Sequence, residues 1–341
     1  MKSELIREVF LAFSQSNKEK FLEIACEIIK EEEKKSHHLL AKDLKEIIKN
    51  FSPNKYANNG VTNKRFKNTI PIPRDTEKGF PLLEIKDFIL DWEDIILTPE
   101  IKASMQQIVE ELNKTSLLAT YGLKPKQKVL FCGPPGTGKT LSSQVISSVL
   151  MYPLVYIRFD SIVSSFLGET ASNLRKIFDF IEQGQWVVLF DEFDIIGKHR
   201  DDPYEHGEIK RVVNNFMQML DNYNGDSLLI ASTNHQYLLD PGLWRRFDEI
   251  LFFDIPDKIR RKEIFLKYLR VFEKEKNLDI DLCVELTETF SPSDIANICW
   301  EAMKKTILKE KEKISIEDLE IAINHQKRRK EVEGRKNGWK I

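Results

Sequence analysis

Apolar positions along the 341-residue chain follow two rhythms. In residues 1–51 they recur at helical spacing: Leu5, Ile6, Val9, Phe10 and Phe13, then Phe21, Ile24, Ala25, Ile28 and Ile29, then Leu40, Leu44, Ile47, Ile48 and Phe51. This spacing predicts three short amphipathic helices in a small bundle, with Ser16 and Glu19 as a capping box opening the second. A bundle of this kind suits docking of a partner or substrate better than catalysis. Residues 52–81, "SPNKYANNGVTNKRFKNTIPIPRDTEKGFP", lose all periodicity and are rich in Asn, Pro, Gly and Lys, the composition of a linker. From residue 82 the pattern changes again. A strand is expected at 128–132, and further apolar runs follow at "PLVYIRF", "WVVLF", "SLLIAS" and "EILFFDI", separated by longer helical patterns. Continuous rather than alternating runs predict a parallel five-stranded sheet between helices, an α/β domain over 82–256. After Pro256 only helices are expected: "KIRRKEIFLKYLRVF", a second from Pro292 to about Lys311, and a third opening at Ser315 with Asp318 as its capping partner. They form a helical domain over 257–341 that ends in a basic tail. No internal repeat is visible.

Charge and cysteine content narrow the class. A formal net charge of −2 gives no global attraction to nucleic acid or to an anionic membrane. The charge run "KEEEKK" reads as a solvated helix face, and the basic C-terminal "HQKRRKEVEGRKNGWK" is short and interrupted by glutamates. No helix-turn-helix, zinc finger or basic helix accompanies it, so nucleic acid is not an expected partner. The four cysteines, Cys26, Cys132, Cys283 and Cys299, are scattered with no CxxC pair, as expected of free thiols in a reducing compartment. No apolar run reaches transmembrane length and the N-terminus is polar and acidic; a cytoplasmic protein without a membrane partner is expected.

The first stretch that carries chemistry is Val129–Thr140, "VLFCGPPGTGKT". Val129, Leu130 and Phe131 are β-formers leading into a turn where Gly133, Gly136 and Gly138 let backbone N–H groups approach an anion closely. A helix over Leu141–Leu150 then points its positive N-terminal end at the same place. Lys139 adds a mobile charge for β/γ-phosphates, and the Thr140 hydroxyl suits a Mg²⁺ ligand. This is a full P-loop pattern between its strand and its helix. Cys132 beside it reads as strand packing.

The second stretch is "VVLFDEFD", which brings Asp191 and Glu192 out at the C-terminal end of a buried strand. Two carboxylates there are expensive to bury without a cation. In an open α/β sheet this edge is the ligand edge, shared with the P-loop. Asp191 is suited to the Mg²⁺ shell, and Glu192 to polarising a water for in-line attack on the γ-phosphate.

Together these segments resemble the AAA family of ATPases over roughly residues 85 to 325, and the resemblance implies ATP and Mg²⁺ as cofactors. "GPPGTGKT" and "LFDEFD" are similar to the family's Walker A and Walker B elements. The implied nucleotide-binding set is Gly133, Pro134, Pro135, Gly136, Thr137, Gly138, Lys139, Thr140, Leu141 and Asp191. "ASTN" puts Asn234 where the family keeps sensor 1, beside the γ-phosphate and the attacking water. "LDPGLWRRFD" resembles the segment whose arginine reaches a neighbouring subunit's ATP. Arg246 aligns with the arginine before Phe-Asp, and Arg245 occupies a position that is glycine in one branch and arginine in the severing-enzyme branch. A shared site of this kind implies a homo-oligomer, in this family a hexameric ring. The implied fold is an AAA module with a helical lid after Pro256. "FSPSDI" departs from the family, which has Gly-Ala before the Asp; Pro292-Ser293 is expected to keep the turn and helix start, with the close approach to nucleotide left open.

The segment "SSFLGETASNLRKIFDF" bears on what ATP is used for. Phe166, Leu167 and Gly168 match the aromatic–hydrophobic–glycine pore loop of AAA unfoldases, which grips side chains without needing a particular partner. A polar second loop is expected over "HRDDPYEHGEIKR"; its His199, Glu205 and His206 lack metal-ligand spacing. The expected function is remodelling, unfolding or translocation of protein substrates, with a separate partner protein. The overall plan resembles short bacterial AAA proteins, some of which are paired with subtilisin-like proteases in phage defence. Alternatives are an ATP-gated assembly switch that controls a partner enzyme, and a nucleic-acid remodeller.

Overall fold

The computed structural model of the chain describes residues 71–75, 79–158, 167–193, 206–239, 241–273 and 278–336. The helices expected in residues 1–51, most of the expected linker and the chain after residue 336 lie outside the described residues. Among the described residues the sheet has six strands: β1 (Glu84–Lys86), β2 (Lys128–Cys132), β3 (Leu154–Arg158), β4 (Val187–Asp191), β5 (Leu228–Thr233) and β6 (Glu249–Phe252), in the order β1-β3-β4-β5-β2-β6. The five expected strands are all present and mutually parallel. The sixth, β1, is not among the expected strands; it runs antiparallel to β3, with Ile85 opposite Val155. Three residues with one apolar position carry no readable period, and β1 forms because it covers the open edge of β3.

Alternation along the strands sorts the core into two layers. Val129, Phe131, Val187, Leu189 and Ile230 face α1 (Pro99–Asn113) and α3 (Lys139–Leu150), where Met105, Ile108, Ile146 and Leu150 meet them. A short α2 (Thr115–Thr120) with no buried residue lies between those helices in the chain. Leu130, Cys132, Val188, Phe190 and Ala231 face α4 (Leu167–Ile181) and α5 (His206–Asn222), against Leu174, Ile177, Phe178, Phe216 and Leu220. Each large apolar side chain buried in these layers contributes about 1.5–3 kcal/mol. Both faces are covered, which is why the strands read as unbroken apolar runs. Burial also raises the Cys132 thiol to about 11, so it is packing and not a nucleophile.

The stretch expected to be linker ends in ordered structure. Arg74 and Pro81 form a bridge, and Leu82 N–H donates to Pro73 O at 2.9 Å. Asp75 is buried there and accepts from Asn173 Nδ2 of α4 at 2.9 Å.

After the short α6 (Pro241–Trp244) and β6, the chain becomes helical at Asp257, whose carboxylate accepts from Arg260 N–H at 2.8 Å and caps α7 (Lys258–Tyr268). With α8 (Ile280–Glu285), α9 (Pro292–Leu308) and α10 (Ile316–Lys336) it forms a separate core around Phe265, Cys283, Ile298, Ala302, Leu319 and Ile323. The last turn of the first expected helix tightens into a 3₁₀ turn at Leu269–Val271. Among the described residues no helix is long and apolar enough to cross a membrane.

The expected Ser315–Asp318 cap is present and extends further. Asp318 N–H donates to Ser315 Oγ at 3.3 Å, and the fully buried Asp318 carboxylate accepts from Ser315 Oγ at 2.7 Å and Lys309 Nζ at 3.1 Å. Burial raises the pKa of this carboxyl, but the bonds from Ser315 and Lys309 and the charges of Lys309 and Lys311 outweigh it and hold the group below the usual 3.8. A carboxyl depressed in the fold binds its proton less readily there than in the unfolded chain. Its stabilisation is therefore complete above the ordinary pKa and fades as pH falls through the folded one. Asp318→Ala is expected to lower stability by about 2 kcal/mol at neutral pH. Thermal melts from pH 7 down to about 3 check this: the gap between wild type and variant should narrow in acid.

Candidate functional site

The order β4-β5-β2 places β5 between the strand that leads into the P-loop and the strand that ends in the carboxylates. Three chain segments therefore emerge side by side at one sheet edge. The first is the turn after β2. Gly133 has φ +139° and is buried; a Cβ there would stand 2.0 Å from the Phe253 carbonyl oxygen after β6. Only glycine fits, because the obstacle is backbone. Pro134 is half-buried, Pro135 is exposed, and Thr137 Oγ1 donates to Pro134 O at 2.8 Å, tightening the turn. Lys139 opens α3 and is buried; its Nζ folds back onto Gly133 O at 2.8 Å and Pro134 O at 2.7 Å. The helix starts here, two residues before the expected Leu141, which is half-buried in its first turn.

The second segment is the end of β4. Asp191 Oδ2 accepts from Thr140 Oγ1 and from Tyr156 OH, each at 3.2 Å, while Oδ1 accepts from Glu192 N–H at 3.0 Å. Burial and the neighbouring Asp191 charge push the Tyr156 phenol up to about 12, so it stays a donor. Glu192 has φ +55°, the left-handed region that costs a non-glycine residue about 1 kcal/mol. That turn sends Phe193 into the core, where its N–H donates to Ser232 O at 3.0 Å, and leaves the Glu192 carboxylate exposed at the edge. Arg158, opposite Asp191 in the β3–β4 register, brings a guanidinium nitrogen to 4.0 Å from Glu192.

The third segment follows β5. Asn234 is half-buried directly after Thr233, whose hydroxyl accepts from His235 N–H at 3.0 Å and turns the chain there. The expected arginines lie elsewhere on the domain. Arg246 Nε donates to both oxygens of Asp221 at the end of α5, at 3.0 and 2.9 Å, and Nη1 donates to Gly242 O at 2.6 Å. Arg245 is exposed.

The expected loop over Phe166, Leu167 and Gly168 is corrected in part. Phe166 lies outside the described residues, but Leu167 and Gly168 form the first turn of α4 rather than a loop. Leu174, Ile177, Phe178 and Ile181 bury one face of that helix, and the roughly 1 kcal/mol helix penalty of a single glycine does not end it. The expected second loop is likewise shorter, because α5 begins at His206. His199 and Glu205 lie outside the described residues.

Two contributions to the site escape sequence reasoning. The lid reaches the P-loop: Ser293 N–H, at the start of α9, donates to Gly136 O at 3.1 Å. A Cβ on Gly136 would stand 2.8 Å from Ser291 Oγ and 2.9 Å from Ser293 Cβ. Pro292-Ser293 thus keeps the turn and helix start and approaches the P-loop backbone through a main-chain N–H. Ser291 caps the helix and Asp294 closes a capping box, fixing the entry of this turn. The segment before α1 is the other contribution. Ile95 lies beside Gly138, Ile96 packs against the lid core, and Lys267 Nζ of the lid donates to Glu93 O at 2.8 Å. Only the family departure at Pro292-Ser293 points to the first, and nothing in the sequence points to the second.

The donor set fits a magnesium nucleotide. Thr140 and Asp191 present hard oxygen donors of the kind magnesium takes, one hydrogen bond apart. The helix N-terminus, the glycine turn and Lys139 supply donors and positive charge for phosphates.

Comparison with known proteins agrees with this geometry. Residues 129–255 match the family described as "ATPase family associated with various cellular activities (AAA)". The chain is 32% identical over 338 residues to the AAA family ATPase y4kL of Sinorhizobium fredii, covering 98% of each chain. It is also 32% identical over 270 residues to a proteasome-activating nucleotidase of Saccharolobus islandicus, covering 72% of this chain and 69% of the relative. The nucleotidase of the same name from Saccharolobus solfataricus matches over 272 residues at the same identity.

Gly136→Ala tests the lid contact. Its Cβ would force Ser291 and Ser293 away, so nucleotide affinity is expected to fall about 10-fold or more while the sheet stays folded. Fluorescent-nucleotide titration beside circular dichroism measures both.

Proposed function

The chain belongs to the AAA family of ATPases, and from that premise we propose that it is an oligomeric Mg-ATP-hydrolysing motor that remodels protein substrates alongside a separate partner protein. The observation that carries the reading is the meeting of Thr140, Asp191 and Glu192 at the P-loop edge of the sheet. In this reading, backbone N–H groups of residues 133–140 bind the phosphates and Lys139 exchanges its carbonyl partners for β/γ-phosphate oxygens. Thr140 and Asp191 hold Mg²⁺, which when bound neutralises charge between the phosphates. Glu192 takes the proton of the attacking water, and Asn234 orients that water. Ser293 ties the lid to the same loop, so lid position follows phosphate occupancy.

The protein-handling part of the proposal rests on likeness. Proteasome-activating nucleotidases are, by name, nucleotidases that activate the proteasome, and the shared 32% identity supports a related use of ATP here. Phe166 immediately precedes α4 in the chain and is the side chain proposed to grip polypeptide. Arg246 is proposed to complete a neighbouring subunit's site, with the Asp221 pair as its resting partner in its own subunit.

Glu192→Gln is expected to retain ATP binding and lose hydrolysis by about 100-fold or more, since an amide cannot accept the water's proton. Lys139→Ala is expected to lose binding itself. A Glu192→Gln protein that turns over ATP at the wild-type rate would refute the assignment of the base. Arg246→Ala is expected to bind ATP yet hydrolyse it slowly. When it is mixed with Lys139→Ala, some interfaces hold one intact site and one intact arginine, so activity should partly return. Absence of recovery, with mixed assemblies demonstrated by differential tagging, counts against a shared site.

A further inference from the structure

Tyr156 belongs to none of the motifs, yet it contacts the carboxylate on which they converge. β3 and β4 run parallel with Tyr156 opposite Leu189 and Arg158 opposite Asp191. Alternation puts all four side chains on the sheet face that α3 covers. The tyrosine ring thus lies one residue pair behind the carboxylate, and its hydroxyl reaches forward to Asp191 Oδ2 at 3.2 Å. The ring is itself held: Lys86 Nζ of β1 lies 5.0 Å from its centroid, and Lys86 pairs with Glu84, the register partner of Tyr156, at 2.6 Å. The strand that carries no sequence period therefore braces the tyrosine.

We propose that Tyr156 is a positioning residue for Asp191, fixing the rotation of the carboxylate so that it and the Thr140 hydroxyl face one divalent cation. The inference rests on the magnesium-nucleotide reading above. A carboxylate on its own turns freely about its last torsion. Here Glu192 N–H holds Oδ1, while Thr140 and Tyr156 share Oδ2. A threonine hydroxyl ligates a cation through its oxygen and keeps its single proton for Oδ2, so Tyr156 supplies the second side-chain donor that fixes the carboxylate. Outer partners of this kind orient metal ligands and raise affinity.

The test is a Mn²⁺ titration of the full chain with ADP, following the free ion by electron paramagnetic resonance, so that no turnover is needed. Tyr156→Phe keeps the ring and removes the donor. It is expected to weaken Mn²⁺ binding about 10-fold, with ADP affinity in EDTA and the melting temperature essentially unchanged. In an Asp191→Ala background the same substitution should add nothing, because its acceptor is gone. A Tyr156→Phe protein that titrates like wild type overturns the proposal, as does an undiminished effect on top of Asp191→Ala. A loss of Mn²⁺ affinity that merely follows a loss of ADP affinity in EDTA and of thermal stability assigns the tyrosine to packing and overturns it too. If wild type binds ADP without any response to Mn²⁺, the magnesium-nucleotide reading itself fails, a result distinct from a normal wild type with an unaffected variant.

Discussion

The hydrogen bond from Thr140 to Asp191 joins two strands that are not neighbours. β2 and β4 are separated by β5, so the side chains at their ends meet only because α3 starts above the sheet edge and leans Thr140 across it. Everything around the site serves that meeting. Gly133 lets the chain leave β2 against the Phe253 carbonyl, and the left-handed turn at Glu192 ends β4 at the right residue. The two buried layers hold the strands in the register from which these turns project. A slip of one residue in β4 would move Asp191 to the opposite face of the sheet.

The lid adds a second constraint of a different kind. Its core is separate from the two layers of the sheet, and it reaches the P-loop through Ser293 N–H and the segment before α1 through Lys267. Both contacts use backbone acceptors, Gly136 O and Glu93 O; the first is backbone to backbone and depends on where the helix sits, while the second also needs the Lys267 ammonium. A phosphate-binding loop tied to a separately packed unit links nucleotide affinity to the orientation of that unit.

How much of this is legible in the sequence follows from what each feature depends on. The five long strands and the P-loop are readable because local composition alone specifies them: apolar runs at the strands, glycines where a backbone carbonyl crowds the chain. Asp318 as the partner of Ser315 is readable because a cap spans only three residues. β1 is not, since three residues hold no period and the strand exists only against β3. The start of α4 is hidden because Gly168 resembles a loop signal, whereas burial of Leu174, Ile177 and Phe178 carries the helix back past it. Asp221 beside Arg246, Tyr156 beside Asp191 and Ser293 beside Gly136 are separated by 25, 35 and 157 positions and arise from register and docking. Single-sequence patterns hold no record of such pairs.

The turn around Asp75 bears on where the ATPase unit begins as an autonomous folding piece. A fragment starting at Leu82 would keep every strand and every motif, yet it would take away the carboxylate that meets Asn173. Asn173 is buried, and among the described residues its own Oδ1 and the neighbouring Thr170 hydroxyl are buried without a partner. Removing Asp75 would strand a further amide donor in the same place, or open the flank of α4 to water. The excision point that preserves the unit therefore lies upstream of Pro73, inside a stretch whose composition alone reads as a linker.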